Sequence, residues 1–165
     1  MARFKGWDAS AAYDATHRRP AKPAKAETAN RITAKVLIGI DPGTNTGFAV
    51  KDADGLKVVQ TLTIWEALNR VKAWKGVAGN SLFVRVEDAR KRTWFGNTGP
   101  EKWKGAGSIA RDCSIWEEFL MAEKIAFEMV HPKNVKATTP EQFKALTGWT
   151  GRTSIHAREA AWMII

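Results

Sequence analysis

Apolar positions along the chain fall into two patterns, short unbroken runs and helical spacings, and both are sustained only beyond residue 33. Val36-Leu37-Ile38-Gly39-Ile40 is unbroken, as expected of a strand covered on both faces. Asp41-Pro42-Gly43 turns the chain, and Thr46-Gly47-Phe48-Ala49-Val50 reads as a second strand. Asp52-Ala53-Asp54-Gly55 is a turn signal, and Leu56–Ile64 supplies a third strand, so the short turns predict three antiparallel strands. Trp65, Leu68, Val71 and Trp74 have helical spacing, with Gly76 and Gly79 as stop signals. Ser81–Val86 is a fourth strand that delivers Glu87 and Asp88 at its end. A polar, glycine-containing segment of roughly twenty residues follows, too long for an idle connection and therefore expected to be functional. Ser108–Glu123 reads as a helix with Ile109, Ile115, Trp116, Phe119 and Leu120 inward, and Ile125–Val130 as a fifth strand. Thr139-Pro140-Glu141 opens a short helix through Leu146, and Ser154–Ile165 a final one that runs to the last residue. The predicted order is β-β-β-α-β-α-β-α-α, an α/β architecture with a mixed five-stranded sheet flanked by helices.

Residues 1–33 change this picture into an arm plus one domain over 34–165. Arg18-Arg19-Pro20-Ala21-Lys22-Pro23-Ala24-Lys25 cannot bury enough surface to offset its ordering entropy, so a flexible basic arm is expected. The length of 165 residues leaves little room for a second full domain, and the 44% hydrophobic fraction suffices for a core. No apolar run approaches the roughly 20 residues needed to cross a bilayer, and no secretory h-region is visible, so a cytoplasmic location without membrane contact is expected. The single cysteine, Cys113, excludes an internal disulfide and a cysteine-based zinc cage, and reads as a small buried hydrophobe.

The formal charge of +9 is unevenly placed. Residues 1–35 carry eight Lys/Arg against three Asp/Glu, while residues 90–111 carry six against Glu101 alone. Such concentration points to a polyanionic partner, although basic tails also serve solubility.

The acids suggest what is done to that partner. Asp41 ends the first strand and Glu87 the fourth, and ligand sites in α/β sheets form at strand C-terminal ends. His156 and Glu159 stand three residues apart on the last predicted helix, about 4.5 Å along its axis, and so share one face. A carboxylate-rich set with one imidazole suits Mg²⁺ or Mn²⁺ better than zinc. Two such ions, roughly 3.5–4 Å apart, can activate water and stabilise the leaving oxygen of a phosphodiester. Each residue also has a plainer reading: an Asp-Pro-Gly turn, a solvated strand end at Glu87 and Asp88, a surface His-x-x-Glu pair.

Order and setting then tie these residues to a family. Ile38-Gly39-Ile40-Asp41-Pro42-Gly43-Thr44-Asn45-Thr46-Gly47-Phe48-Ala49-Val50 resembles the first-strand motif of RuvC-type Holliday junction resolvases. Val84-Arg85-Val86-Glu87 resembles the strand carrying the second acid, and Ser154-Ile155-His156-Ala157-Arg158-Glu159-Ala160-Ala161 the closing helix. Val86–Arg90, Ser114–Phe119 and Thr147–Thr153 look especially like the bacteriophage branch. The resemblance spans roughly residues 36–165. It implies a ribonuclease-H-like fold and a metal-dependent endonuclease acting on branched DNA, with Asp41, Glu87, His156 and Glu159 as catalytic metal ligands for two Mg²⁺ or Mn²⁺ ions. It implies a homodimer as well, with Ser108–Leu120 as the dimer helix and Ile115, Trp116 and Phe119 as anchors. Two features depart from the pattern: Glu159 stands where the family has Asp, and the arm lies outside the family core.

Basic residues interleaved with aromatics fit the DNA side of such an activity, because the former meet phosphates and the latter stack on exposed bases. Arg90, Lys91, Arg92, Trp94, Lys102, Lys104 and Arg111 make up that set, and Arg152, just before the last helix, is placed to reach a scissile phosphate. A mobile charged loop is the plainer reading of 90–107. His131, before Pro132, reads as structural. Two rival functions remain at this stage. One keeps the fold and cuts RNA–DNA hybrid. The other is nucleotide binding, because Gly39–Thr44 also resembles the first phosphate loop of actin-like ATPases, which carry the fold twice.

Overall fold

The computed structural model describes residues 34–92 and 100–165, with side chains in the second stretch described from residue 107 onward. The arm at 1–33 and Trp94 lie outside the described residues, as do the side chains of Lys102 and Lys104.

Five strands form one sheet in the order β3-β2-β1-β4-β5. They are β1 (Val36–Asp41), β2 (Thr46–Asp52), β3 (Gly55–Leu62), β4 (Leu82–Glu87) and β5 (Ala126–Val130). β1, β2 and β3 are antiparallel neighbours, whereas β4 runs parallel to β1 and β5 parallel to β4. Helices α1 (Ile64–Ala78), α2 (Pro100–Ala122), α3 (Pro140–Thr147) and α4 (Ile155–Trp162) flank it, giving the α/β arrangement expected, a mixed five-stranded sheet flanked by helices.

Strand period divides the side chains into two cores. Ile38 and Ile40, Phe48 and Val50, and Val84 and Val86 face one side, where Ala67 and Val71 of α1 and Trp116 and Leu120 of α2 cover them. The other side is covered by Phe143 of α3 and by Ala157, Ala160 and Ala161 of α4, continued by Met163 and Ile164. Alternation therefore sends Gly39 and Asp41 of β1, Gly47 and Ala49 of β2, and Arg85 and Glu87 of β4 towards the α4 side. Both strand-end carboxylates thus face the helix that carries His156 and Glu159.

Several boundaries differ from the sequence expectation, each for a local reason. β3 stops at Leu62 because Thr63 caps α1: its hydroxyl accepts from the Glu66 amide while Glu66 accepts from the Thr63 amide. That cap sets the helix phase so that Ala67 and Val71 turn inward, and Trp65 is left 70% exposed. α2 begins at Pro100, well before Ser108, and runs through Gly105 and Gly107. Proline suits a first helical turn, and two glycines cost only about 1 kcal/mol each against a helix this long. Ile109 is exposed rather than inward. Trp116 is fully enclosed in the chain's own core and stacks edge-on against Phe119, so it is not available as a dimer anchor. α4 ends at Trp162 instead of running to the last residue.

Candidate metal centre

The last helix lies on the sheet as closely as backbone allows, and two glycines are the reason. A Cβ built on Gly39 would stand 1.9 Å from the Ala160 carbonyl oxygen, and one on Gly47 would stand 2.0 Å from that of His156. Gly47 is the register partner of Asp41 across β1 and β2. The residue opposite the first carboxylate therefore has no side chain, and the His156 backbone occupies the space.

Other contacts fix the orientation of α4. Ser154 caps it through the Ala157 amide, and the Ser154 hydroxyl also meets that of Thr61 on β3 at 2.5 Å. The buried guanidinium of Arg158 donates to the carbonyls of Thr138 and Thr153, tying the segments on either side of α3 to the helix. Arg85, from the same face of β4, donates to the Met163 carbonyl and pairs with Glu128 on β5. His131 caps the short turn Pro132–Asn134 by accepting from the Lys133 amide, a structural role.

These constraints bring one side chain from β1 together with two from α4. His156 Nδ1 lies 2.7 Å from Asp41 Oδ2, within hydrogen-bond distance, and 4.0 Å from Glu159 Oε2. One ligand atom from each of Asp41, His156 and Glu159 falls within 4.8 Å of the others. Glu87 stands outside that tight trio, but its charge reaches it. Burial, followed by repulsion from Glu87, pushes the Asp41 carboxyl up to about 7 against the hydrogen bond and charge of His156. Glu87 is also raised, chiefly by burial, with Arg92 opposing and Glu159 adding to the rise.

Two carboxylates and an imidazole at this spacing, with a third carboxylate beside them, form an oxygen-rich donor set of the kind hard divalent cations take. Burial first, and then the nearby charge of Glu87, disfavour the Asp41 carboxylate, and a cation among these acids would offset both. The residues present therefore fit a divalent ion, which Asp41, His156 and Glu159 would hold, with Glu87 nearby.

Asp88 takes a different course. Its carboxylate is buried and held by Arg90 at 2.7 and 3.0 Å, and its amide bonds to the Val130 carbonyl at 2.8 Å. Arg90 continues to Glu117 on α2 at 2.7 Å. Cys113, also on α2, contacts the Glu87 carbonyl; burial pushes its thiol up to about 11, which leaves it inert at neutral pH. Of the basic residues expected to face DNA, Lys91 donates to the Met129 carbonyl and Arg92 to Glu87. Arg111 and Arg152 are exposed. The Asp88–Arg90–Glu117 pairing was not foreseen from sequence, although an acid two residues before an arginine was a possible signal. Nor was the packing role of Gly39 and Gly47.

No protein-family model matches this chain, and no curated protein matches it. Among solved structures it is similar to T. thermophilus RuvC in complex with Holliday junction substrate, at a TM-score of 0.46 and 16% identity. That match covers 77% of this chain and 88% of the other. A likeness at this level assigns no residue a role and names no substrate.

Proposed function

We propose that the chain is a divalent-metal-dependent endonuclease that cleaves branched DNA, Holliday junctions foremost, in the manner of the bacteriophage RuvC-type resolvases that its motifs resemble. The observation that carries this reading is the meeting of Asp41 with His156 and Glu159 across 115 residues of chain, with Glu87 close enough to perturb Asp41. Asp41, Glu87, His156 and Glu159 hold Mg²⁺ or Mn²⁺, two ions per site. When bound, such ions supply a water nucleophile at neutral pH and stabilise the charge that develops on the leaving oxygen.

The chain's own residues set the geometry. Asp41 is rigid because five apolar residues of β1 precede it, and His156 is rigid because its backbone rests on Gly47. His156 is hydrogen-bonded to Asp41 at 2.7 Å and can keep that carboxyl oriented. Lys91, Arg92, Arg111 and Arg152, with Trp94, Lys102 and Lys104, provide the surface for phosphates and unstacked bases, and Arg90 belongs to the same basic segment. A homodimer would present two such sites to the two-fold symmetry of a four-way junction.

The test is cleavage of a synthetic four-way junction, with and without Mg²⁺, beside linear duplex and RNA–DNA hybrid. Preferential, Mg²⁺-dependent cutting of the junction supports the reading, and Asp41→Asn should keep junction binding while losing cleavage. Equal cutting of all three substrates removes the junction preference, hybrid-only cutting favours a ribonuclease, and tight ATP binding without DNA affinity favours a nucleotide-binding module.

A further inference from the structure

We propose that Arg92 is an internal counter-ion of the site, occupying Glu87 until a divalent cation displaces it and thereby freeing its guanidinium for substrate phosphate. The inference rests on the metal-centre reading above and adds to it an exchange between side chain and ion.

A short turn carries the geometry. Asp88 caps the 3₁₀ turn Ala89–Lys91, accepting from the Arg90 amide at 3.2 Å, and the Arg92 amide closes the turn on the Ala89 carbonyl at 3.1 Å. The chain is folded back, so Arg92, five residues after Glu87, returns its Nη2 to within 3.3 Å of Glu87 Oε1. The turn itself is fixed from outside. Arg90 grips Asp88 and Glu117, and Lys91 reaches the Met129 carbonyl. Arg90 and Lys91 thus both lie against Asp88, Lys91 at 3.9 Å, and only Arg92 of the three is directed at a carboxylate of the candidate metal centre.

Charge gives the contact its meaning. Asp41, Glu87 and Glu159 bring three carboxylates into one region, and among the described residues Arg92 is the only Lys or Arg within ion-pair distance of any of them. Glu87 is nearly enclosed whereas Arg92 is 55% exposed along its side chain. Among the described residues the guanidinium makes one contact, at 3.3 Å, and most of its side chain is open to solvent, so it can leave readily. An ion drawn to Glu87 meets a guanidinium already 3.3 Å from Oε1, and the two positive charges repel at that range. Arginine and divalent cation therefore compete, and the Asp88–Arg90 clasp leaves the turn in place whichever one is bound.

The experiment is Mn²⁺ titration of the metal-free full chain without DNA, followed by electron paramagnetic resonance of free Mn²⁺, on the wild type, Arg92→Gln, Arg92→Lys and Asp41→Asn. Removing one positive charge beside a divalent ion should tighten Mn²⁺ binding roughly tenfold in Arg92→Gln, from Coulomb interaction in a solvent-screened setting. Arg92→Lys should stay near the wild type. Unchanged or weaker Mn²⁺ binding by a folded Arg92→Gln overturns the proposal and leaves the metal centre standing, provided Asp41→Asn has lost the binding. Wild-type-like Mn²⁺ binding by Asp41→Asn overturns the metal centre and the exchange with it. A second readout is the salt dependence of junction binding. With Ca²⁺ present, Arg92→Gln should flatten the slope by about one phosphate contact, and in EDTA it should leave the slope unchanged. Equal flattening in both conditions would mean that the guanidinium is free from the start, which also overturns the exchange.

Discussion

Substituting Gly47 by alanine tests how the site is assembled. The new Cβ would lie 2.0 Å from the His156 carbonyl oxygen, 2.5 Å from its carbon and 3.1 Å from the Ala157 nitrogen. All three are backbone atoms, so no side chain can rotate out of the way. Restoring the 3.4 Å at which ordinary contact begins requires a displacement of 1.4 Å between β2 and the start of α4. Overpacking of this kind costs typically 1–3 kcal/mol. The upper part of that range applies here because backbone must move, which corresponds to a fall in Tm on the order of 10 °C. Chemistry should suffer more than stability. His156 sits 2.7 Å from Asp41, and a misplacement of about 1 Å in a catalytic constellation can cost on the order of 100-fold in rate. The assay pairs thermal unfolding with Mg²⁺-dependent junction cleavage, using Gly76→Ala as the control. Gly76 lies on the exposed face of α1 with open space around it, so alanine there should stabilise by about 0.5–1 kcal/mol and leave cleavage alone. A Gly47→Ala protein that melts within 2 °C of wild type, as a ~0.5 kcal/mol effect would, and cuts at the wild-type rate would refute the reasoning.

Two further outcomes follow from the same geometry. Asp41 is raised from 3.8 to about 7, so between those values the folded chain holds a proton that the unfolded chain has released. The contribution is fully present below pH about 4 and lost as pH rises through about 7, on the order of 4 kcal/mol at most. Melting in EDTA should therefore fall across this window, and the fall should be shallower in Asp41→Asn; parallel profiles would contradict the assignment. Arg90→Gln should lower stability by about 2–4 kcal/mol, because it strands the buried Asp88 carboxylate. It should leave the salt slope of junction binding unchanged, whereas Arg152→Gln should reduce that slope by about one contact; a reduced slope in Arg90→Gln would place Arg90 on DNA.

Much of the sheet could be read from the chain because β1 is an unbroken apolar run and β4 is apolar at every position before Glu87 except Arg85, a pattern with few other uses in a domain of this size. Helix phase was less legible. Trp65 and Trp116 look alike in sequence, yet one is exposed and the other fully buried. The difference comes from the Thr63–Glu66 box, which fixes where α1 starts, and from packing against strands distant in sequence. The start of α2 was hidden by Gly105 and Gly107, whose low intrinsic propensity is outweighed by the length of the helix around them. Choosing Glu87 over Asp88 was within reach of sequence, since Glu87 continues the alternation of Phe83 and Arg85 to the α4 side, while Asp88 lies past the strand end.

What no local pattern could supply is the distance between β1 and α4. The spacing of His156 and Glu159 says that they share a face, but it leaves open which strand that face meets and how closely. Gly39 and Gly47 answer both questions, because only residues without a Cβ let a helix backbone settle on a strand at that range. Those glycines sit in a segment whose apolar neighbours already explain the strand, so sequence reading had no need of them. The same limit applies to Arg90-Lys91-Arg92, which reads as one basic patch, yet a single tight turn sets Arg90 and Lys91 against the buried Asp88 and sends Arg92 to Glu87. Charge composition can point to a polyanionic partner, but which arginine is available to meet it depends on the fold of the five residues that follow Glu87.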